Sequence, residues 1–276
     1  VDAIPLPPVP KKYCMQHKLS AEQINDFIAN GFIRIDQAFP ASMAAEVRDI
    51  LWRETGLDPD DPSTWKQPVI RLGYYTQEPF VAAANTPLLL NAFDQLLGVG
   101  NWIPCRNMGS MVLRFPADET PTDTGWHVDA SFAGEGDAND LMNWRININS
   151  KGRGLLMLFL FSDVGEKDAP TRIRVGSHKD VAGVLKPYGE KGLSFFELAG
   201  MLNQLPQRDT VLATGNAGTV YLCHPFLVHA AQPHHGNTPR FMAQPPLLMR
   251  KELVLEPEDN SHVYTPLEIA IREGMK

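Results

Sequence analysis

Apolar residues recur at helical spacing through the first hundred positions, then give way to short β-branched and aromatic runs. Ile24, Phe27 and Ile28 follow Ser20 and Gln23, whose three-residue separation is that of a capping box, and Gly31 ends the run. Met43, Val47, Ile50 and Leu51 repeat the period. Thr86-Pro87 supplies an N-cap and a first-turn proline ahead of Leu89, Phe93, Leu96 and Leu97, closed by Gly98. The pattern predicts a mostly helical N-terminal layer over 1–104. From Met108 onward strands are expected at 110–115, 127–132, 155–161, 172–175, 219–223 and 241–248, separated by Gly, Pro, Asp and Asn as in an antiparallel sandwich or barrel. Within 179–210, Ser194 and Glu197 open another capped helical pattern through Leu198, Met201, Leu202 and Leu205, an excursion that could cover a pocket. The segment 133–154, with Trp144, Arg145 and Asn147, is long for a connection and reads as either a substrate lid or a surface loop. With 249–276 as a C-terminal extension, the fold class is mainly β with flanking helices, one domain built around the 105–248 core.

Composition narrows the partners. A hydrophobic fraction of 43% and a charged fraction of 21% are ordinary for a water-soluble chain, and no apolar run approaches the ~20 residues of a membrane span. A formal charge of -7 argues against nucleic acid or an acidic membrane surface and leaves small molecules as the expected partners. Cys14, Cys105 and Cys223 are odd in number and far apart, so neither a disulfide framework nor a thiolate zinc site is indicated. The first ten residues are proline-rich and read as an extended arm without a secretory leader, which makes the cytoplasm the expected compartment.

Candidate chemistry lies in Trp126-His127-Val128-Asp129 and His224-Pro225-Phe226-Leu227-Val228-His229, followed by Arg240. Side chains at i and i+2 of an extended segment leave one face, so His127 and Asp129 can address one metal ion. A second imidazole would complete two histidines and a carboxylate on one octahedral face, with three positions open, the set used by non-haem Fe(II) oxygenases. His224, His229, His234 and His235 compete for that role. Eleven residues separate His229 from Arg240, enough to turn through Gly236-Asn237 and return on the next strand. His224 before Pro225 reads as a supporting residue, His234 and His235 as exposed turn residues, and His178 as turn or packing. An iron site of this kind keeps about one positive charge and suits a 2-oxo diacid, whose far carboxylate would need a guanidinium such as Arg240 inside an apolar barrel.

Trp126 through Phe132, Thr171-Arg172-Ile173-Arg174-Val175-Gly176-Ser177-His178, and Gly218 through His229 to Arg240 resemble the phytanoyl-CoA dioxygenase family of Fe(II)/2-oxoglutarate oxygenases. The likeness covers about 105–248, with a weaker match at Gly31-Phe32-Ile33-Arg34-Ile35. It implies a double-stranded β-helix (a cupin-like jelly roll), His127, Asp129 and His229 as iron ligands, Arg240 as the 2-oxoglutarate anchor, and O2 as the second cosubstrate. It further implies Met111 as a cosubstrate wall, where the plainer reading of the residue is core packing. Leu158 stands where many relatives carry Trp and Ala231 where they often carry Ser, so a flat packing surface and a hydrogen bond to the cosubstrate are expected to be missing. The resemblance implies oxidation of a substrate C–H bond with release of succinate and CO2; retention of Asp129 favours hydroxylation over halogenation. Two other classes compete: a zinc-dependent hydrolase, which leaves Arg240 without a purpose, and a non-catalytic jelly-roll binding protein. Arg145, Arg153, Arg172 and Arg174 are scattered and do not mark a coenzyme A track, so a small metabolite is the expected substrate, and Arg172 and Arg174 can equally be read as solvent-facing.

Overall fold

The computed structural model describes residues 18–117, 119–135, 140, 143–257 and 261–276. The proline-rich arm and Cys14 lie outside the described residues. Each of the helices expected from capping signals forms. Ala21–Asn30 starts at Ser20, whose hydroxyl accepts from the Gln23 amide while the Gln23 side chain accepts from the Ser20 amide. Gly31 ends it at φ 85°, and a Cβ there would lie 2.4 Å from His178 Nδ1, so both backbone angle and space require glycine. Ala41–Thr55, Pro87–Leu97 behind Thr86, and Phe195–Met201 behind a second capping box complete the expected set. Glu78–Ala84, Ser177–Leu185 and Pro266–Gly274 are additional. The last has its own box: Thr265 caps it, and the buried Glu268 accepts from the Val254 and Thr265 amides, both at 2.8 Å.

Seven antiparallel strands make the main sheet. Their order is Phe32–Ile35, Val220–Cys223, Leu155–Leu160, Arg240–Ala243, Met111–Arg114 and Val69–Leu72, with Pro246–Leu247 also paired to Leu155–Leu160. Both edges therefore come from the stretch expected to be helical, because Phe32–Ile35 and Val69–Leu72 are too short for a period of two to stand out. Alternation divides the sheet's residues between two apolar layers. Met111, Leu113, Phe159 and Phe241 pack toward Phe39, Leu51 and Phe93 of the helical layer. Leu156, Leu158, Leu160, Tyr221 and Met242 pack toward Ile173, Ala213 and Leu227. Burial on both faces is why Leu155–Leu160 reads as an unbroken apolar run. A small sheet of His229–Ala230, Arg172–Arg174 and Thr210–Leu212 closes the second layer into a jelly roll, and Phe132–Ala133, Trp144–Ile146 and Leu193–Ser194 form a third at its mouth.

Two expected strands differ. In 127–132 only an isolated bridge from His127 to His229 and the two-residue Phe132–Ala133 form, while 241–248 splits around Gln244-Pro245, where proline has no N–H to offer. Among the described residues no helix is long and apolar enough to cross a membrane.

Candidate metal centre

His127 and His229 face each other as an antiparallel bridge, each amide donating to the other's carbonyl at 3.0 Å. This backbone pairing sets their ring centroids 4.4 Å apart. His127 Nδ1 lies 2.8 Å from Gly125 O and His229 Nδ1 lies 3.0 Å from Leu227 O. A carbonyl can only accept, so both Nδ1 atoms carry the proton and both Nε2 atoms present lone pairs. Asp129 Oδ1 lies 3.6 Å from His127 Nε2 and 3.7 Å from His229 Nε2, and one ligand atom from each of the three lies within 4.8 Å of the others. His229 Nε2 is buried without a hydrogen-bond partner. Two lone pairs and a carboxylate converging on one point, one of them orphaned, is a donor set that fits a divalent cation.

Protonation states suit that reading. Burial and the neighbouring His127 push His229 down to about 4, so it is neutral near pH 7. Burial alone would raise the Asp129 carboxyl, but the Arg153 guanidinium and the two imidazoles outweigh it and hold the acid below its ordinary range. Arg153 stands 3.1 Å from Asp129 Oδ2 and donates to Ala130 O at 3.1 Å, leaving Oδ1 turned toward the histidines.

The three residues line a cavity of about 1130 Å³ that also takes in Arg240, Arg114, Val112, Thr171 and Ala231. Arg240 is 1% exposed and donates to Ala169 O. Burial, then the neighbouring Arg114, push its pKa well below the ordinary value, a destabilised cation that an anion would relieve. Phe195, Phe196 and Trp144 form part of the outer wall, so the helical excursion reaches the cavity, and the Phe195 ring lies 5.7 Å from His127. Within 133–154, residues 136–139 and 141–142 lie outside the described residues.

Met111 and Leu158 do not line this cavity. Met111 pairs with Ala243 and shares the core-facing side with Leu113, whereas Val112 and Arg114 take the other face; a one-residue difference in parity decides which side chain meets the cavity. Leu158 faces the jelly-roll interior but is packed among Leu156, Leu160 and Met242 at 1% exposed. His234 is buried rather than exposed, its Nε2 2.9 Å from Thr238 O and its Nδ1 accepting from the Gly236 amide, while His235 is exposed. Arg172 and Arg174 are half-buried: they lie over the Trp126 ring at 4.8 and 4.4 Å, and Arg172 Nη2 donates to Thr124 O and Ala231 O. Sequence reasoning missed Arg114, Arg153 and Trp126 as site residues. A lone arginine inside the apolar run Met111-Val112-Leu113-Arg114-Phe115 was the available signal for the first.

Comparison with known proteins follows this geometry. The phytanoyl-CoA dioxygenase (PhyH) family model matches residues 27–242, and the chain belongs to that family. The match begins at the first helix, well before the 105–248 stretch that carries the motifs. No curated protein matches the sequence. Similar solved structures include the non-haem α-ketoglutarate-dependent carbocyclase SnoK from nogalamycin biosynthesis, with TM-score 0.53, 14% identity and 84% of each chain covered. EctD from S. alaskensis with 2-oxoglutarate and 5-hydroxyectoine has TM-score 0.52 and 20% identity over 84% of this chain and 76% of that one. HygX from Streptomyces hygroscopicus with nickel and 2-oxoglutarate has TM-score 0.51 and 18% identity over 83% and 86%. At these identities the likeness is one of fold; HygX is described with nickel and 2-oxoglutarate, and EctD with 2-oxoglutarate.

Proposed function

We propose that the protein is an Fe(II)- and 2-oxoglutarate-dependent dioxygenase that hydroxylates, or otherwise oxidises, a C–H bond of a small-molecule metabolite. The observation that carries this is the orphaned Nε2 of His229 converging with His127 Nε2 and Asp129 Oδ1 at one end of a cavity that also contains the buried Arg240. His127, Asp129 and His229 would hold the iron, and Arg240 would take the far carboxylate of 2-oxoglutarate. When bound, iron supplies the site where O2 is reduced: one oxygen atom enters succinate as 2-oxoglutarate loses CO2, and the other reaches the substrate as hydroxyl.

The chain's own residues contribute positioning. Gly125 and Leu227 carbonyls fix both imidazole tautomers, Arg153 keeps Asp129 anionic, and Phe195, Phe196 and Trp144 give the outer cavity an apolar wall against which a substrate can be held and water displaced. The cavity is several times larger than a five-carbon diacid, which supports a second guest of metabolite size. Relatives of the same fold are described with hygromycin B and with 5-hydroxyectoine, both small molecules. Anaerobic addition of Fe(II) and then 2-oxoglutarate should produce a visible charge-transfer band, and metabolite screening by succinate release should follow. A protein that binds zinc but forms no such band, or forms none with any metal, would replace this reading with a hydrolase or an inert binder.

A further inference from the structure

One buried guanidinium is accounted for neither by the metal ligands nor by Arg240. Arg114 stands opposite Arg240 in the register of neighbouring antiparallel strands, so both side chains leave the same face of the sheet, and both line the cavity. Each residue is 1% exposed. Arg114 Nη2 donates to Asp123 Oδ2 at 2.7 Å, and Arg71 shares that same carboxylate oxygen. Arg114 Nε and Nη1 are nevertheless buried without a partner, as is Arg240 Nε. Two guanidinium groups thus share one carboxylate with Arg240 close enough to feel all three charges, and the two most buried of the arginines retain unmet donors. Placing like charges together out of water is costly unless an anion joins them, and guanidinium forks match carboxylate oxygens.

We infer that Arg114 and Arg240 form a two-guanidinium clamp on the far carboxylate of the cosubstrate, with Asp123 and Arg71 holding Arg114 in place. The inference rests on the proposed function and adds a specificity rule: the pocket selects 2-oxo diacids over 2-oxo monoacids through two arginines. Arg114 donors that meet no acceptor among the described residues are thereby given one in the ligand.

The test is anaerobic titration of the Fe(II)-loaded protein with 2-oxoglutarate and with 2-oxopentanoate, following the charge-transfer band. Arg114→Gln should weaken 2-oxoglutarate about tenfold or more, the scale of a charge-assisted hydrogen bond, and leave 2-oxopentanoate unchanged. Arg114→Lys should fall between, since it keeps the charge and loses the fork. Equal weakening of both acids, or no change in either, would overturn the clamp. Should Arg114→Gln melt markedly below wild type, Arg240→Gln decides: with Arg114 intact it should still favour the diacid several-fold, and loss of all preference sinks the inference. If wild type forms no band with 2-oxoglutarate, the cosubstrate reading itself fails and the clamp with it, an outcome distinct from a normal band that ignores Arg114.

Discussion

Two pairs of histidines sit in this jelly roll at almost the same spacing, yet they solve opposite problems. His127 and His229 have ring centroids 4.4 Å apart, and His178 and His224 have theirs 4.7 Å apart. In the first pair both Nδ1 atoms give their protons to carbonyls, so two lone pairs point inward beside Asp129. In the second, His178 Nε2 lies 3.1 Å from Ile28 O and so carries its proton, while His224 Nδ1 accepts from the Phe226 amide and so lacks one. What remains is a lone pair on His178 Nδ1 and an N–H on His224 Nε2, each buried and without a hydrogen-bond partner among the described residues. One pair is short of a cation; the other offers one donor and one acceptor and, among the described residues, forms no ion pair with a carboxylate. Proximity of imidazoles is therefore not what makes a candidate metal site; the backbone donors and acceptors that choose each tautomer are.

The largest effect should come from breaking the first pair's carboxylate. Asp129→Ala should abolish 2-oxoglutarate-dependent succinate release and lower iron affinity by more than the roughly 10–100-fold that follows loss of a supporting residue. Metal stoichiometry after dialysis reads this, and full iron retention would remove Asp129 from the ligand set. Next in size is a crossed phenotype. His224→Ala leaves a cavity and strips the Phe226 amide of its acceptor, so urea unfolding should show a loss of about 2–4 kcal/mol with iron affinity nearly unchanged. His229→Ala should do the reverse, losing iron while the apoprotein unfolds close to wild type. If both variants behave alike, the two pairs do not differ in the way their tautomers indicate.

Acid should test the core pair on a smaller scale. Burial lowers His178 to about 4, and burial together with His178 lowers His224 well below its ordinary value. The unfolded chain binds these protons near pH 6.5 and the folded chain does not, so the stability they contribute is complete above that pH and lost as pH falls toward 4. Each group adds a slope of up to about 1.4 kcal/mol per pH unit in that window. His178→Gln, whose amide can still donate toward Ile28 O, should flatten the slope of apoprotein stability against pH by about one proton. An unchanged slope would mean that His178 is protonated in the fold.

The convergence of the candidate metal ligands is legible because its pattern is local: a two-residue offset, a distal histidine and a strand return to Arg240 are all visible along the chain. Capped helices were legible for the same reason. Features set by register were not. Whether Met111 or Val112 meets the cavity depends on which residue Ala243 pairs with, and the importance of Arg114 exists only because Arg240 is its cross-strand partner. The Pro266–Gly274 helix differs in kind, since Thr265-Pro266 with Glu268 is a capping box written in the sequence beyond the motif-bearing core. His178 was obscured because its helix begins at Gly176, with φ 76° and no side-chain cap.

The smallest effect tests what holds the metal pair in place, since unlike His178 and His224 it sits at a cavity wall. Arg172 Nη2 donates at 2.7 Å to Thr124 O, just before the His127 segment, and at 2.9 Å to Ala231 O, just after His229. Its guanidinium also lies over Trp126, next to His127, with Arg174 at 4.4 Å from the same ring. One side chain thus ties together both segments that carry imidazoles, acting on the metal only through their spacing. Arg172→Gln can replace one of these hydrogen bonds but not the contact with the ring, so iron should bind about tenfold more weakly. Because the arginine touches no ligand atom, the 2-oxo diacid preference of the loaded protein should be unchanged. A loss of diacid preference would move Arg172 into the cosubstrate pocket, and unaltered iron affinity would show that the mutual hydrogen bonds of His127 and His229 hold the pair without it.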